Sequence, residues 1–152
     1  MRSIGILVRM TSKKRPSARV VALDGTWDVA VVAKSFELTS SADDLATQML
    51  DLTRGLRSYL SGADANAVVV RRADQSPIGS RAEGPPRRLL AEGALIAGAR
   101  EEVEMVLVKS GKELAEASPA TNKAALDQHA ESVAPSEECQ AVAAALVGLC
   151  AP

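Results

Sequence analysis

The chain has 152 residues, a formal net charge of −1 and an apolar fraction of 47%, made mostly of Ala, Val and Leu. That length fits one domain, taken as residues 1–152, with a genuine hydrophobic core. A charge so close to neutral predicts no partner by itself, so any electrostatic function must come from how the charge is distributed.

There is one Trp (Trp27), one Phe (Phe36) and one Tyr (Tyr59). Small aliphatic side chains then make the core, and helices can approach a sheet closely. The start, MRSIGILVRM, is too short for a signal-peptide core, and no later apolar run approaches a membrane span. A soluble cytoplasmic protein with no membrane partner is expected. Cys139 and Cys150 lie on what reads as one helix, with Cα atoms about 16 Å apart, too far for a disulfide. Two thiols so placed suggest a reducing compartment, and a single His129 cannot complete a metal site with them.

In chain order, SIGILVRM (3–10) reads as a strand and TSKKRPSA (11–18) as a polar turn. RVVALDG (19–25) is a second strand closed by the Asp24-Gly25 turn signal, and WDVAVVAKSFEL (27–38) is a third. These make an antiparallel meander. Leu45, Met49, Leu52, Leu56 and Leu60 recur at spacings of three and four, which predicts an amphipathic helix within 39–62. Ser41 is its expected N-cap and Gly62 its stop, with Asp43 and Asp44 as acids at the helix start. ANAVVVRR (65–72) is the fourth strand, and strand-helix-strand order predicts a parallel crossover.

A Gly-, Pro- and Ser-rich loop comes next at 73–86, then a helix over 87–102 and a fifth strand, VEMVLVKS (103–110). KSGK (109–112) lacks the Gly-rich lead of a P-loop and reads as a turn. A short helix in GKELAEAS, a helix over 121–133 capped by Thr121, and a last helix over 136–150 capped by Ser136 complete the chain. In GALIAGA (93–99), Gly93, Ala97 and Gly98 suit close packing, on the sheet or at a dimer seam. His129 has no suggested catalytic partner.

Three antiparallel strands, then alternating helices and strands, then C-terminal helices: this order resembles the ribonuclease H-like superfamily. The details resemble its RuvC-type Holliday-junction resolvases. SIGILVRM stands where that family has its active-site strand. VEMVLVKSGKELAEA resembles the family's fifth strand and its following segment. TNKAALDQHAESV, with Lys123 near its start, resembles the next helix, and PSEECQAVAAAL resembles the final Ala-rich helix. The resemblance implies an α/β fold with a five-stranded mixed sheet flanked by helices, and a homodimer.

For the chemistry, it implies a loss. The family's activity resembles two-metal phosphodiester hydrolysis, in which carboxylates hold two Mg²⁺ ions about 3.5–4 Å apart. The first-strand acid position holds Leu7, flanked by Ile6 and Val8, and the fourth-strand position holds Arg71, flanked by Val70 and Arg72. The two positions one helical turn apart in the last helix hold Glu137 and Gln140. An arginine there repels Mg²⁺. A pseudo-nuclease is expected, with no catalytic residues, no metal and no cofactor. A rival alignment makes ALDGT (22–26) the first catalytic strand, with Asp24, Asp74 and Glu137 or Glu138 as ligands of an active metal-dependent nuclease. It discards SIGILVRM as an extra strand, and Asp24-Gly25 reads more simply as a turn.

In the implied topology the first, fourth and fifth strands end on one edge of the sheet, where open α/β sheets bind ligands. The loops there carry Lys13, Lys14 and Arg15; Arg71, Arg72 and Arg81; Arg87 and Arg88; and Lys109 and Lys112. With Arg9 and Arg19, and against Asp74, Glu83 and Glu113, they sum to about +9, leaving about −10 elsewhere. Such an edge attracts polyanions. Nucleic acid is the expected partner, DNA ahead of RNA, and an acidic protein partner is the alternative. No aromatic lies in these loops, so contacts would be to phosphates, salt-sensitive and weakly sequence-specific.

Overall fold

The computed structural model describes residues 1–74 and 84–152. Strands β1 (Arg2–Met10), β2 (Pro16–Gly25) and β3 (Ala30–Leu38) form the meander. They are followed by α1 (Leu45–Leu60), β4 (Ala67–Arg71), α2 (Gly84–Glu102), β5 (Val106–Lys109), α3 (Gly111–Glu116), α4 (Lys123–Val133) and α5 (Cys139–Leu149). The sheet order is β3-β2-β1-β4-β5. β2 is antiparallel to β1 and β3, whereas β4 is parallel to both β1 and β5.

Side-chain alternation splits the core into two layers. Ile4, Ile6 and Val8 of β1 pack with Val20, Val68 and Val70 against Leu52 and Leu56 of α1 and Leu95 of α2. Leu7, Val21, Leu23 and Val69 point the other way, onto Leu126 of α4 and the buried length of α5. A strand buried on both faces reads as a continuous apolar run, which explains SIGILV and AVVV.

Helix α5 is apolar all round from Ala141 onward, and its residues from Ala141 to Leu149 are all buried. It lies close on β1 because residue 5 is glycine: a Cβ there would stand 1.9 Å from the Ala141 carbonyl oxygen. Any side chain at Gly5 pushes α5 off the sheet, at a cost of about 1–3 kcal/mol or more.

The structure moves several expected boundaries. Helix α1 is capped by Asp44, whose carboxylate accepts from Thr47 N at 2.8 Å, and not by Ser41; its C-cap is Ser61, one residue before Gly62. Asn122, not Thr121, caps α4 and accepts from Ala125 N at 2.9 Å, while Thr121 takes a left-handed turn conformation (φ 65°). Ser136 opens a single 3-10 turn (Ser136–Glu138) with no side-chain cap, and α5 starts at Cys139. Trp27 lies in the β2–β3 turn rather than in β3, with its ring 4.6 Å from that of His129 and its carbonyl 2.8 Å from His129 Nε2. Gly25 (φ 119°) ends β2, as a turn reading of Asp24-Gly25 requires. KSGK proves to be a strand-to-helix junction: Ser110 caps α3 and forms a reciprocal capping box with Glu113. In GALIAGA the close contact is helix on helix, with Gly98 against Thr53 and Arg57 of α1, while Gly93 and Ala97 are exposed.

Candidate nucleic-acid interface

The parallel strands β1, β4 and β5 end on one edge, and their register sets a row of side chains across it. Lys109, Arg71, Leu7, Arg19 and Glu37 are partners in turn across β5, β4, β1, β2 and β3. Paired residues share a face, and Leu7 places this row on the α5 side. Val70 points to the opposite core. The doubled arginine that ends β4 is therefore split: Arg71 turns inward beneath α5 and Arg72 turns away to Glu113.

The β2–β3 half of the row is a closed network. Arg19 lies 3.5 Å from Glu37 Oε2 and 3.7 Å from Glu138 Oε1. Ser17 Oγ donates to Glu37 at 2.9 Å, and Ser35 Oγ donates to Glu138. Arg9, one row further along β1, donates to the main-chain carbonyl of Glu137. Sequence reasoning placed Arg9 and Arg19 near the edge but did not foresee that they would pin the lead-in of α5 to the sheet.

The β4–β5 half is sparsely satisfied. Arg71 is buried, yet its only ion pair among the described residues is Nη2 to Asp74 Oδ2 at 3.7 Å, with side-chain exposures of 6% and 63%. Asp74 also accepts from Gly111 N at 3.3 Å. Lys109 has no ion-pair partner among the described residues. Beside them lies an open depression lined by Arg72, Ala73, Asp74 and Ser110.

The other cations gather around this edge, most of them paired. Arg72 Nη2 meets Glu113 Oε2 at 3.2 Å. The Glu113 carboxyl is held down to about 2, first by the Ser110 backbone N–H and hydroxyl of the capping box and then by Arg72. Arg15 pairs with Asp43 at 2.9 Å, Arg88 with Glu92 at 3.1 Å, and Lys112 with Glu116 at 3.7 Å. Lys13 and Lys14 are exposed on the β1–β2 turn and have no ion-pair partner among the described residues. The Lys14 carbonyl accepts from Arg87 Nη1 at 3.2 Å, which joins that turn to the start of α2. Arg81 and Glu83 lie outside the described residues. The edge is thus less positive than its loops suggest, because Asp43, Glu92 and Glu116 reach into it from flanking segments. Glu92 was not foreseen: it is 3% exposed and ties Ala73 N, at 2.8 Å, to α2. Its only sequence signal is the i,i+4 spacing from Arg88.

The carboxylates of the rival alignment do not converge. Asp24 is the register partner of Arg2, at the far end of β1 from Leu7, and accepts from Arg2 Nε and Nη2 at 2.7 and 2.8 Å. Asp74 lies beyond Arg71, the partner of Leu7. Five residues of strand separate the two levels, roughly 17 Å.

No protein-family model matches the sequence, and no curated protein matches it. Solved structures do. The chain superposes on RuvC of Thermus thermophilus in complex with a Holliday junction substrate with a TM-score of 0.70, at 16% identity, over 97% of this chain and 91% of that one. A second structure of Thermus thermophilus RuvC gives a TM-score of 0.70 at 19% identity, over 97% of this chain and 92% of the other. The fold is the ribonuclease H-like fold of RuvC, an α/β architecture with a five-stranded mixed sheet and flanking helices.

The resemblance to resolvases implies a pair of Mg²⁺ ions, and the donors among the described residues do not fit them. Hard divalent cations need clustered anionic oxygens. Leu7 and Arg71 are side-by-side partners in the sheet, and Glu137 and Gln140 are both exposed. Among the described residues no group of three or more His, Cys, Asp or Glu is placed to hold a metal ion.

Proposed function

We propose that this protein is a catalytically inactive RuvC-like domain that binds nucleic acid, DNA ahead of RNA, through phosphates at the C-terminal edge of β1, β4 and β5. The observation that carries the reading is Arg71: a guanidinium stands beside Leu7 where metal-dependent cleavage would need carboxylates. The side chains engaged are Lys13, Lys14, Arg15, Arg71, Arg72, Arg81, Arg87, Arg88, Lys109 and Lys112. The RuvC structure bound to a Holliday junction supports a branched duplex as the first substrate to try. The proposal includes a homodimer and a cytoplasmic setting, both resting on the sequence reading.

Fluorescence anisotropy with labelled duplex, single-stranded and four-way-junction DNA tests it, at two salt concentrations, with and without Mg²⁺, each sample then run on a gel. Salt-weakened binding of intact DNA is the expected result. Absence of binding at low salt would point instead to a protein-interaction or scaffold subunit. Cleavage that needs Mg²⁺ or Mn²⁺ would revive a nuclease built on Asp24, Asp74 and Glu137 or Glu138.

A further inference from the structure

A buried arginine needs partners. Its guanidinium carries five N–H donors, and taking the charge out of water is costly unless they are used. Among the described residues, the Arg71 guanidinium makes no hydrogen bond, and its one ion pair is a 3.7 Å approach to a mostly exposed aspartate. Its register partner Lys109 presents a second positive charge on the same face of the sheet. Like charges directly opposite one another destabilise a strand pair. A third cation stands close by: a Cβ on Gly111 would lie 2.8 Å from Arg71 Nη2 and 3.4 Å from Lys123 Cε, so both side chains converge on that glycine. Lys123 is itself held by Asp127 at 2.9 Å. The fold thus holds two adjacent positive charges, one of them buried, with a single loose acidic partner among the described residues. Such an arrangement attracts an anion.

We propose that Arg71 and Lys109 form a metal-independent seat for one phosphate group, in the cleft where the fold would otherwise hold metal ions. The proposal rests on the nucleic-acid reading for the source of the phosphate, but the seat itself is defined by this chain's own side chains. The guanidinium fork takes two phosphate oxygens, and the Lys109 ammonium takes a third as a point charge. Asp74 is the resident competitor: exposed and weakly engaged, it moves aside when the phosphate enters. Added Mg²⁺ then competes with Arg71 and Lys109 for the phosphate oxygens, so it weakens binding instead of enabling it.

The test tracks the Arg71 side-chain Nε–H resonance by NMR, assigned with Arg71→Lys, while inorganic phosphate and then a short duplex DNA are added. Saturable movement of that resonance with phosphate is expected. Affinity should fall about tenfold in Lys109→Met and rise severalfold in Asp74→Asn, which keeps an acceptor for Gly111 N but removes the competing charge. With DNA, Arg71→Met should lose about tenfold in affinity and lower the salt slope by about one. Circular dichroism checks each variant for folding, and Asp74→Asn in the intact protein gives a gain that misfolding cannot mimic. A phosphate response at Arg71 without DNA binding supports the seat and removes the nucleic-acid reading. DNA binding with a silent Arg71 resonance and an unaffected Arg71→Met overturns the seat and leaves that reading standing. No response to either ligand overturns both.

Discussion

Two arginine–aspartate pairs stand at opposite ends of the central strands and are built in opposite ways. At one end Arg2 clasps Asp24 with two hydrogen bonds of 2.7 and 2.8 Å, although the side chains are 34% and 46% exposed. At the other, Arg71 is far more buried and touches Asp74 only at 3.7 Å, without a hydrogen bond. Physical chemistry orders them the other way: the buried guanidinium has more to gain from a tight partner. The difference separates an arginine that closes a strand end from one held open for something else. Arg2 also donates to the Ala63 carbonyl at 2.8 Å, which leaves it little freedom for a ligand.

Mutation and titration can put that contrast at risk. Reversing charge at the open end, with Arg71→Glu and Arg72→Glu together, should weaken DNA binding by roughly a hundredfold, whereas Arg2→Glu should leave it within about twofold. Equal losses in an anisotropy titration would mean that the two ends do not differ. Stability should move the opposite way. Arg71→Met removes a poorly satisfied buried charge and should be neutral or stabilising by about 1–2 kcal/mol. Arg2→Met breaks a partly exposed bidentate pair and should cost about 1 kcal/mol. Urea denaturation reads both, and a loss of several kcal/mol in Arg71→Met would make Arg71 structural.

The closed pair also predicts a pH dependence. The Arg2 guanidinium holds the Asp24 carboxyl below its usual 3.8 through hydrogen bonding first and charge second. A depressed carboxyl contributes stability that is full above its unfolded value and lost as pH falls through the folded one. Wild-type stability should therefore fall below about pH 4, and part of that slope should vanish in Arg2→Met. Glu113 adds to the same acid window, full above 4.5 and lost as pH approaches about 2, and a carboxyl NMR titration separates the two groups. The smallest effect belongs to Lys14, whose φ of 57° is left-handed. Lys14→Gly should stabilise by about 0.5–1 kcal/mol while lowering DNA affinity about twofold, and denaturation and binding of one variant read both.

Much of the fold was legible because apolar periodicity and strand order are local signals. Ile4, Ile6, Leu7 and Val8 form the apolar run that announces a strand, and Leu52, Leu56 and Leu60 announce a helix stripe. Caps were read less well. Ser41, Thr121 and Ser136 carry the right chemistry, but Asp44 and Asn122 took the first two caps, since a cap is decided by which oxygen meets a free N–H. Of the site, sequence placed Arg71 at the end of β4 beside Leu7. It did not show that some neighbouring cations are matched by acids distant in sequence, Arg15 by Asp43 and Arg72 by Glu113.

Side-chain chemistry along the chain was enough to set the order of elements and the residue types at the cleft, because each of those is written locally. Which charges are spoken for emerged only from the folded arrangement. Arg19 and Arg71 are both arginines in strands, and nothing local tells them apart. Arg19 stands beneath the lead-in of α5, where Glu37 and Glu138 converge on it, and Arg71 stands beside Lys109 with only Asp74 in reach among the described residues. The pairing of a charge depends on distances between segments far apart in sequence, and register across the sheet sets those distances.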